Sequence, residues 1–188
     1  MERKVIYQTL EDKENPEEVE QQGPFPCNWG NAWLGNGYYF WDTFIENAHW
    51  WGKKHRKDKY IICKSTFDYS DKTCFDLVGN TSHMLDFEKS VDLMRKQGLV
   101  NKKTTVARVI SFMKEKTKVL EQQSVRVYGI NSKSEKTKPN YRLKFELNKP
   151  QYLVYKPAIQ ICLFGFKGIN LGEFSIVYPD IYINEYVI

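Results

Sequence analysis

Apolar positions repeat every second residue near the two ends of this chain and every three to four residues in its middle. Lys4 to Leu10 puts Val5, Tyr7 and Thr9 on one side and Ile6 on the other, which predicts a first strand. An acidic stretch marked by Pro16, Pro24 and Pro26 then reads as a loop. Tyr60 to Thr66 and Cys74 to Val78 predict two more strands, the second ended by Gly79. The period then lengthens. Met84, Phe87, Val91 and Met94 predict a core-facing helix that Asn80 or Thr81 caps and Gly98 stops. Val106, Val109, Ile110 and Met113 predict another, capped by Thr104 or Thr105. From Ser124 the alternation returns, in Val125 to Tyr128, Tyr141 to Leu147, Tyr152 to Tyr155, Ala158 to Phe164, Phe174 to Tyr178 and Ile181 to Ile188. Asn131 to Asn140, rich in lysine and serine, reads as a loop. Early strands, central helices and clustered late strands predict one α+β domain over residues 1–188 with a largely antiparallel sheet.

One segment departs from this even patterning. Gly35-Asn36-Gly37 leads into Tyr38-Tyr39-Phe40-Trp41, and Asp42 or Thr43 then opens a helix, with Thr43 and Glu46 at capping-box spacing. Glycines without a Cβ reach positive φ and let the backbone come close to another body. Four ring-bearing residues in extended conformation alternate faces, so only half of them can enter one core. Phe44, Ala48 and Trp51 recur at i, i+4 and i+7 and predict the buried stripe of the helix, with Trp50 about 100° around on a different surface. The plain reading is that these rings fill a core. A glycine-hinged loop running into an aromatic strand and directly into a helix favours a cleft that takes a nucleotide.

Composition narrows the class. With 188 residues, 41% hydrophobic and 15% aromatic, the chain is long enough for one domain with a substantial core. No apolar run approaches the ~20 residues of a membrane-spanning helix, and Met1-Glu2-Arg3-Lys4 opens no apolar signal region, so no membrane span and no ordinary signal peptide are expected. Cys27, Cys63, Cys74 and Cys162 contain no Cys-x-x-Cys pair, and His49, His55 and His83 form no metal motif, so reduced thiols and no metal are expected. His49 reads first as a half-buried helix residue and second as a base. The net charge is +5, and residues 99–149 hold 13 lysines and arginines against 4 glutamates. Such a surplus suits solvated surfaces or an acidic partner such as RNA, although no nucleic-acid motif accompanies it.

The segment Gly35, Gly37, Tyr39, Phe40, Ala48 and Trp50 resembles the nicotinamide-binding core of the ADP-ribosyltransferase superfamily, in its poly(ADP-ribose) polymerase and diphtheria-toxin-like branch. There a Gly-x-Gly-x-Tyr-Phe strand runs into a helix carrying Ala and a second aromatic. Two tyrosines sandwich nicotinamide in that branch. Tyr39 matches the first and Trp50 stands at the second, with a larger stacking face. The branch also opens on a strand carrying His-Gly-Thr. Tyr7-Gln8-Thr9 occupies that place, with the threonine kept and a tyrosine where the histidine stands.

The resemblance implies an ADP-ribosyltransferase-like fold, with a split antiparallel β-sheet core and helices between the early and late strands. It implies NAD as co-substrate, held by Tyr7, Gln8, Thr9, Gly37, Tyr38, Tyr39 and Trp50. A carboxylate near a late strand would steady the oxocarbenium-like centre formed as nicotinamide leaves. Three positions compete for it. Gln160 falls in the best register, Glu146 belongs to Arg142, Phe145 and Glu146, which resemble an Arg-x-x-Phe-x-Glu segment of bacterial relatives, and Glu173 precedes a Glu-Tyr-x-Val-Tyr-like strand with one residue inserted. The implied activity is transfer of ADP-ribose to a protein or nucleic-acid acceptor, in a cytoplasmic toxin or an effector delivered without a signal peptide, with a cognate antitoxin or immunity protein as a further partner. The rival is a catalytically silent binding domain of the same fold.

Overall fold

The computed structural model describes residues 2–28, 30, 32–129 and 141–183. Its architecture is mixed α+β with a mostly antiparallel sheet. In chain order the strands are β1 (Glu2–Glu11), β2 (Tyr38–Asp42), β3 (Tyr60–Tyr69), β4 (Cys74–Asp76), β5 (Ser124–Tyr128), β6 (Arg142–Lys144), β7 (Tyr152–Val154), β8 (Ile159–Leu163) and β9 (Ser175–Tyr178). Seven of them form a sheet in the order β4-β5-β8-β2-β1-β3-β9, in which β4 and β5 make the parallel pair. The remaining two, β6 and β7, make a separate hairpin.

The sheet is joined at its middle by a short seam. β1 pairs with β3 along its whole length, from Glu2↔Tyr69 to Glu11↔Tyr60, and β2 pairs with β8 from Tyr38↔Leu163 to Trp41↔Gln160. Between β1 and β2 the register holds only Ile6↔Asp42 and Tyr7↔Trp41. Beyond Tyr7 the two strands part, and the side chain of Gln8 bridges the gap instead of the backbone.

Strand alternation sends side chains to two faces. Ile6, Phe40, Ile61, Ile161 and Leu163 enter one core with Phe174 and Ile176. On the other face Val125, Val127 and Cys162 meet Met94, Ile110 and Met113, while Trp41, Tyr60 and Ile62 meet Ala48. Four helices cover these faces: α1 (Pro16–Gln22), α2 (Ile45–His55), α3 (Thr81–Lys96) and α4 (Val106–Phe112).

The acidic stretch expected as a loop contains α1. Proline at its first turn and Glu17 and Glu18 beside the positive helix end favour that start, and Val19 is buried. α2 lacks the expected capping box. Thr43 takes φ 63° and its hydroxyl donates to Asp42 Oδ1, so it is unavailable to the helix, and Phe44 caps without a side-chain bond. Asn47, Ala48 and Gly52 form the buried face of α2, because the Tyr60 ring packs where a Gly52 Cβ would lie, 2.4 Å away. In α3 Asn80 accepts from the Ser82 and His83 amides as a cap. Its buried face runs through His83, Ser90 and Met94, leaving Met84 36% exposed. The eleven steps from His83 to Met94 are close to three turns at ~3.6 residues each, whereas Met84 falls about 80° off that line.

Thr105 caps α4 by accepting from Arg108 N, and a π-helical turn, Met113–Thr117, follows. At the end of the chain, Asp180–Tyr182 is a 3-10 turn where a strand beginning at Ile181 was expected; residues 184–188 of that expectation and the loop Asn131 to Asn140 lie outside the described residues.

Candidate functional site

A cleft of about 300 Å³ opens where β1 and β2 part. Gln8, Thr9 and Leu10 of β1, Tyr39 and Trp41 of β2, and Gln160 of β8 line the sheet side. Trp51 and His55 reach it from the last turns of α2, and Phe25 to Cys27 with Ala32 and Trp33 close it from the loop before β2. Register explains the company: Trp41 lies opposite both Tyr7 and Gln160, so β2 carries one ring between the two halves of the sheet.

Most polar atoms of the cleft already have protein partners. Gln8 donates from Nε2 to Phe25 O at 2.8 Å and to Tyr39 O at 3.4 Å, and its Oε1 accepts from Phe25 N at 2.9 Å. The Tyr39 hydroxyl accepts from Leu34 N at 2.9 Å and donates to Gly35 O at 2.7 Å. Burial pushes that phenol upward in pKa, with Cys162 adding to the shift, so it keeps its proton. Thr9 Oγ1 donates to Ala48 O at 3.0 Å, which ties β1 to α2. Trp33 Nε1 donates to Gln160 Oε1 at 2.8 Å. An indole N–H only donates, so the oxygen of Gln160 must face it and the amide N–H groups turn elsewhere.

His55 stacks on Trp51 with ring centroids 3.9 Å apart and planes 27° from parallel. Burial, then the charge of Arg56, lowers its pKa. Among the described residues lining the cleft there is no carboxylate, lysine or arginine.

The expected site residues divide between the cleft and other places. Gln8, Thr9, Tyr39 and Gln160 come together in it. Tyr7 does not: it shares the Thr9 side of β1 but sits where β1 is still paired with β2, opposite Trp41, and packs with Trp41, Trp50 and Trp51. Burial, then Glu46, raises its pKa. Tyr38 faces the other core, its ring 4.6 Å from Phe166. Gly37 serves close approach: a Cβ there would lie 2.5 Å from Leu163 O, and its backbone pairs with Cys27.

Trp50 is not a wall of the cleft. It meets Trp41 nearly perpendicular at 6.2 Å, and Lys54 lies over its ring at 5.9 Å. The next residue, one ~100° step around the helix, supplies the wall, so Trp51 stands where Trp50 was expected. Neither carboxylate reaches the cleft. Glu146 is exposed in the turn of the β6–β7 hairpin, where its carbonyl accepts from Lys149 N, and Glu173 is exposed before β9, an edge strand beyond β3. His49 lies outside the lining as well, its Nδ1 3.0 Å from Tyr60 Oη. Trp33 and His55 escaped the sequence reading. The spacing of Trp51 and His55, i and i+4 on one helix face, was the available signal for His55; Trp33 had none beyond its place among glycines.

Charge is concentrated behind the cleft, on the other face of the sheet. Arg126 of β5 donates from Nε to Asp42 Oδ2 at 2.7 Å and from Nη1 to Asp76 Oδ1 at 3.1 Å. Tyr69 Oη and Val78 N donate to Asp76 as well, at 2.7 and 2.8 Å. Burial alone would raise the Asp76 pKa, but these hydrogen bonds and the guanidinium hold it below the usual carboxylate range. The Asp76 amide donates to His83 Nδ1 at 2.9 Å, which makes that nitrogen the acceptor.

Among the described residues no cluster of His, Cys, Asp and Glu is arranged to hold a metal, and no helix is long and apolar enough to cross a membrane. No family model, curated protein or solved structure matches the chain.

Proposed function

We propose that the cleft is an NAD site of ADP-ribosyltransferase type, with the nicotinamide ring against Tyr39 and Trp51, in a domain that binds the dinucleotide far better than it turns it over. The carrying observation is Gln160, an uncharged amide at the floor of an aromatic cleft that no described carboxylate enters. Aromatic faces give a planar ring its contact area, and the seam between β1 and β2 gives it depth. A neutral amide cannot offset positive charge developing at the anomeric carbon, so the rate advantage that fixed charge supplies is missing. A transferring enzyme is the second reading. One feature favours it: the hairpin bearing Glu146 stands apart from the main sheet and leads directly into β8.

Calorimetry with NAD, paired with an assay of nicotinamide release, tests the proposal. The expected result is saturable binding with turnover at background, and release raised at least tenfold in Gln160→Glu, which puts a carboxylate in the cleft and still accepts from Trp33. Absence of NAD binding sinks the proposal. Rapid turnover by the unaltered protein that vanishes in Glu146→Ala replaces it with the transferase.

A further inference from the structure

Resting on that reading, we infer that the cleft recognises the aromatic carboxamide end of its ligand alone and does not read phosphate, so that free nicotinamide and its cationic N-methyl derivative are ligands in their own right. Anionic phosphate taken from water needs charge-assisted donors, usually arginine, lysine or the amides of a helix N-terminus. The described lining supplies none of the three. α2 presents its other end: Trp51 and His55 belong to the last turns of Ile45–His55, where the helix dipole is negative. That end repels an anion and favours a cation.

The rings add to this preference. Trp33, Trp41 and Trp51 bring three indoles to the lining, one of them stacked by His55; indoles are the strongest side-chain partners for a positive charge, and an N-substituted pyridinium is flat and positive. Gln160 supplies the specific polar contact. Its oxygen is held by Trp33, and its amide N–H donors have no partner among the described residues, which matches the carbonyl oxygen of a carboxamide. Size agrees, since about 300 Å³ is the lower end of the range for small-molecule pockets, room for a ring and its sugar rather than a whole dinucleotide.

Titration of the full chain with nicotinamide, N-methylnicotinamide, ADP-ribose and NAD, followed by calorimetry at low and high salt, separates this inference from the reading beneath it. Expected are dissociation constants for N-methylnicotinamide and NAD within tenfold of each other, ADP-ribose at least tenfold weaker than either, and less than twofold change with salt. In Trp51→Ala the affinity for N-methylnicotinamide falls at least tenfold, with Trp51→Phe between the two. ADP-ribose binding as tightly as NAD, or NAD binding that salt weakens tenfold, overturns the inference and leaves NAD binding standing. If none of the four ligands binds, the NAD reading falls and takes the inference with it. The ligand series uses the unaltered protein, so a misfolded variant does not remove the test.

Discussion

The two faces of β2 treat polarity in opposite ways. On one face Asp42, 2% exposed, joins Asp76, also 2% exposed, through Arg126, and almost every acceptor is matched to a donor. On the other face Tyr39 and Trp41 border a cleft whose described walls carry no carboxylate, lysine or arginine. Buried charge is tolerable only when it is paired and hydrogen-bonded, so the ion network belongs to the permanent interior. A cleft wall without charge costs less to strip of its water when a ring enters. The contrast teaches that these charges hold β4, β5 and β2 together across β8, and that the cleft is lined without them.

Breaking the ion network has the largest expected effect. Arg126→Ala leaves Asp42 and Asp76 buried without their cation and costs about 3–5 kcal/mol, read as a lowered denaturant midpoint. A loss below about 1 kcal/mol would show that water reaches these carboxylates. Trp33→Phe makes the matching change on the cleft side by deleting one N–H donor to Gln160. With Trp33 40% exposed, water can replace that donor, and the expected cost is about 1 kcal/mol or less. A cost equal to that of Arg126→Ala would abolish the distinction between the faces.

The smallest effect is a pH dependence. Burial, then the charge of Lys53, lowers the pKa of His49, whose neighbours include Glu46, which opposes the shift, the Tyr60 hydroxyl and the Tyr178 ring. The unfolded chain then binds a proton at about pH 6.5 while the folded chain does not, so stability is complete above that pH and declines below it. Denaturant midpoints followed from about pH 8 down to 5 should fall, and His49→Gln should flatten part of the slope; His55, shifted in the same direction, supplies another part. A midpoint that rises on acidification would reverse the sign.

Much of the fold is legible in the chain because it is encoded locally. Thr105 and Asn80 act as the caps their positions announce, and the alternation of Ile159 to Leu163 places Gln160 opposite Trp41 on a buried strand. The errors share a cause as well. The α2 stripe was counted from Phe44, but the Tyr60 ring against Gly52 sets which side of that helix meets the sheet, and this decides between Trp50 and Trp51. Along β1 alternation puts Tyr7 and Thr9 on one side, yet of the two only Thr9 lines the cleft, because β2 leaves β1 just beyond Tyr7.

By itself the sequence determined the mixed class, most strand positions, and the glycine-aromatic element that ends in Trp51, since period, caps and backbone preference act over a few residues. Tertiary structure alone decided that Glu146 and Glu173 stand away from the cleft, that Gln160 sits in it with its oxygen fixed by Trp33, and that the C-terminal end of α2 closes one wall. The physical reason is distance along the chain: Trp33 and Gln160 are 127 residues apart, and only the pairing of β2 with β8 makes them neighbours.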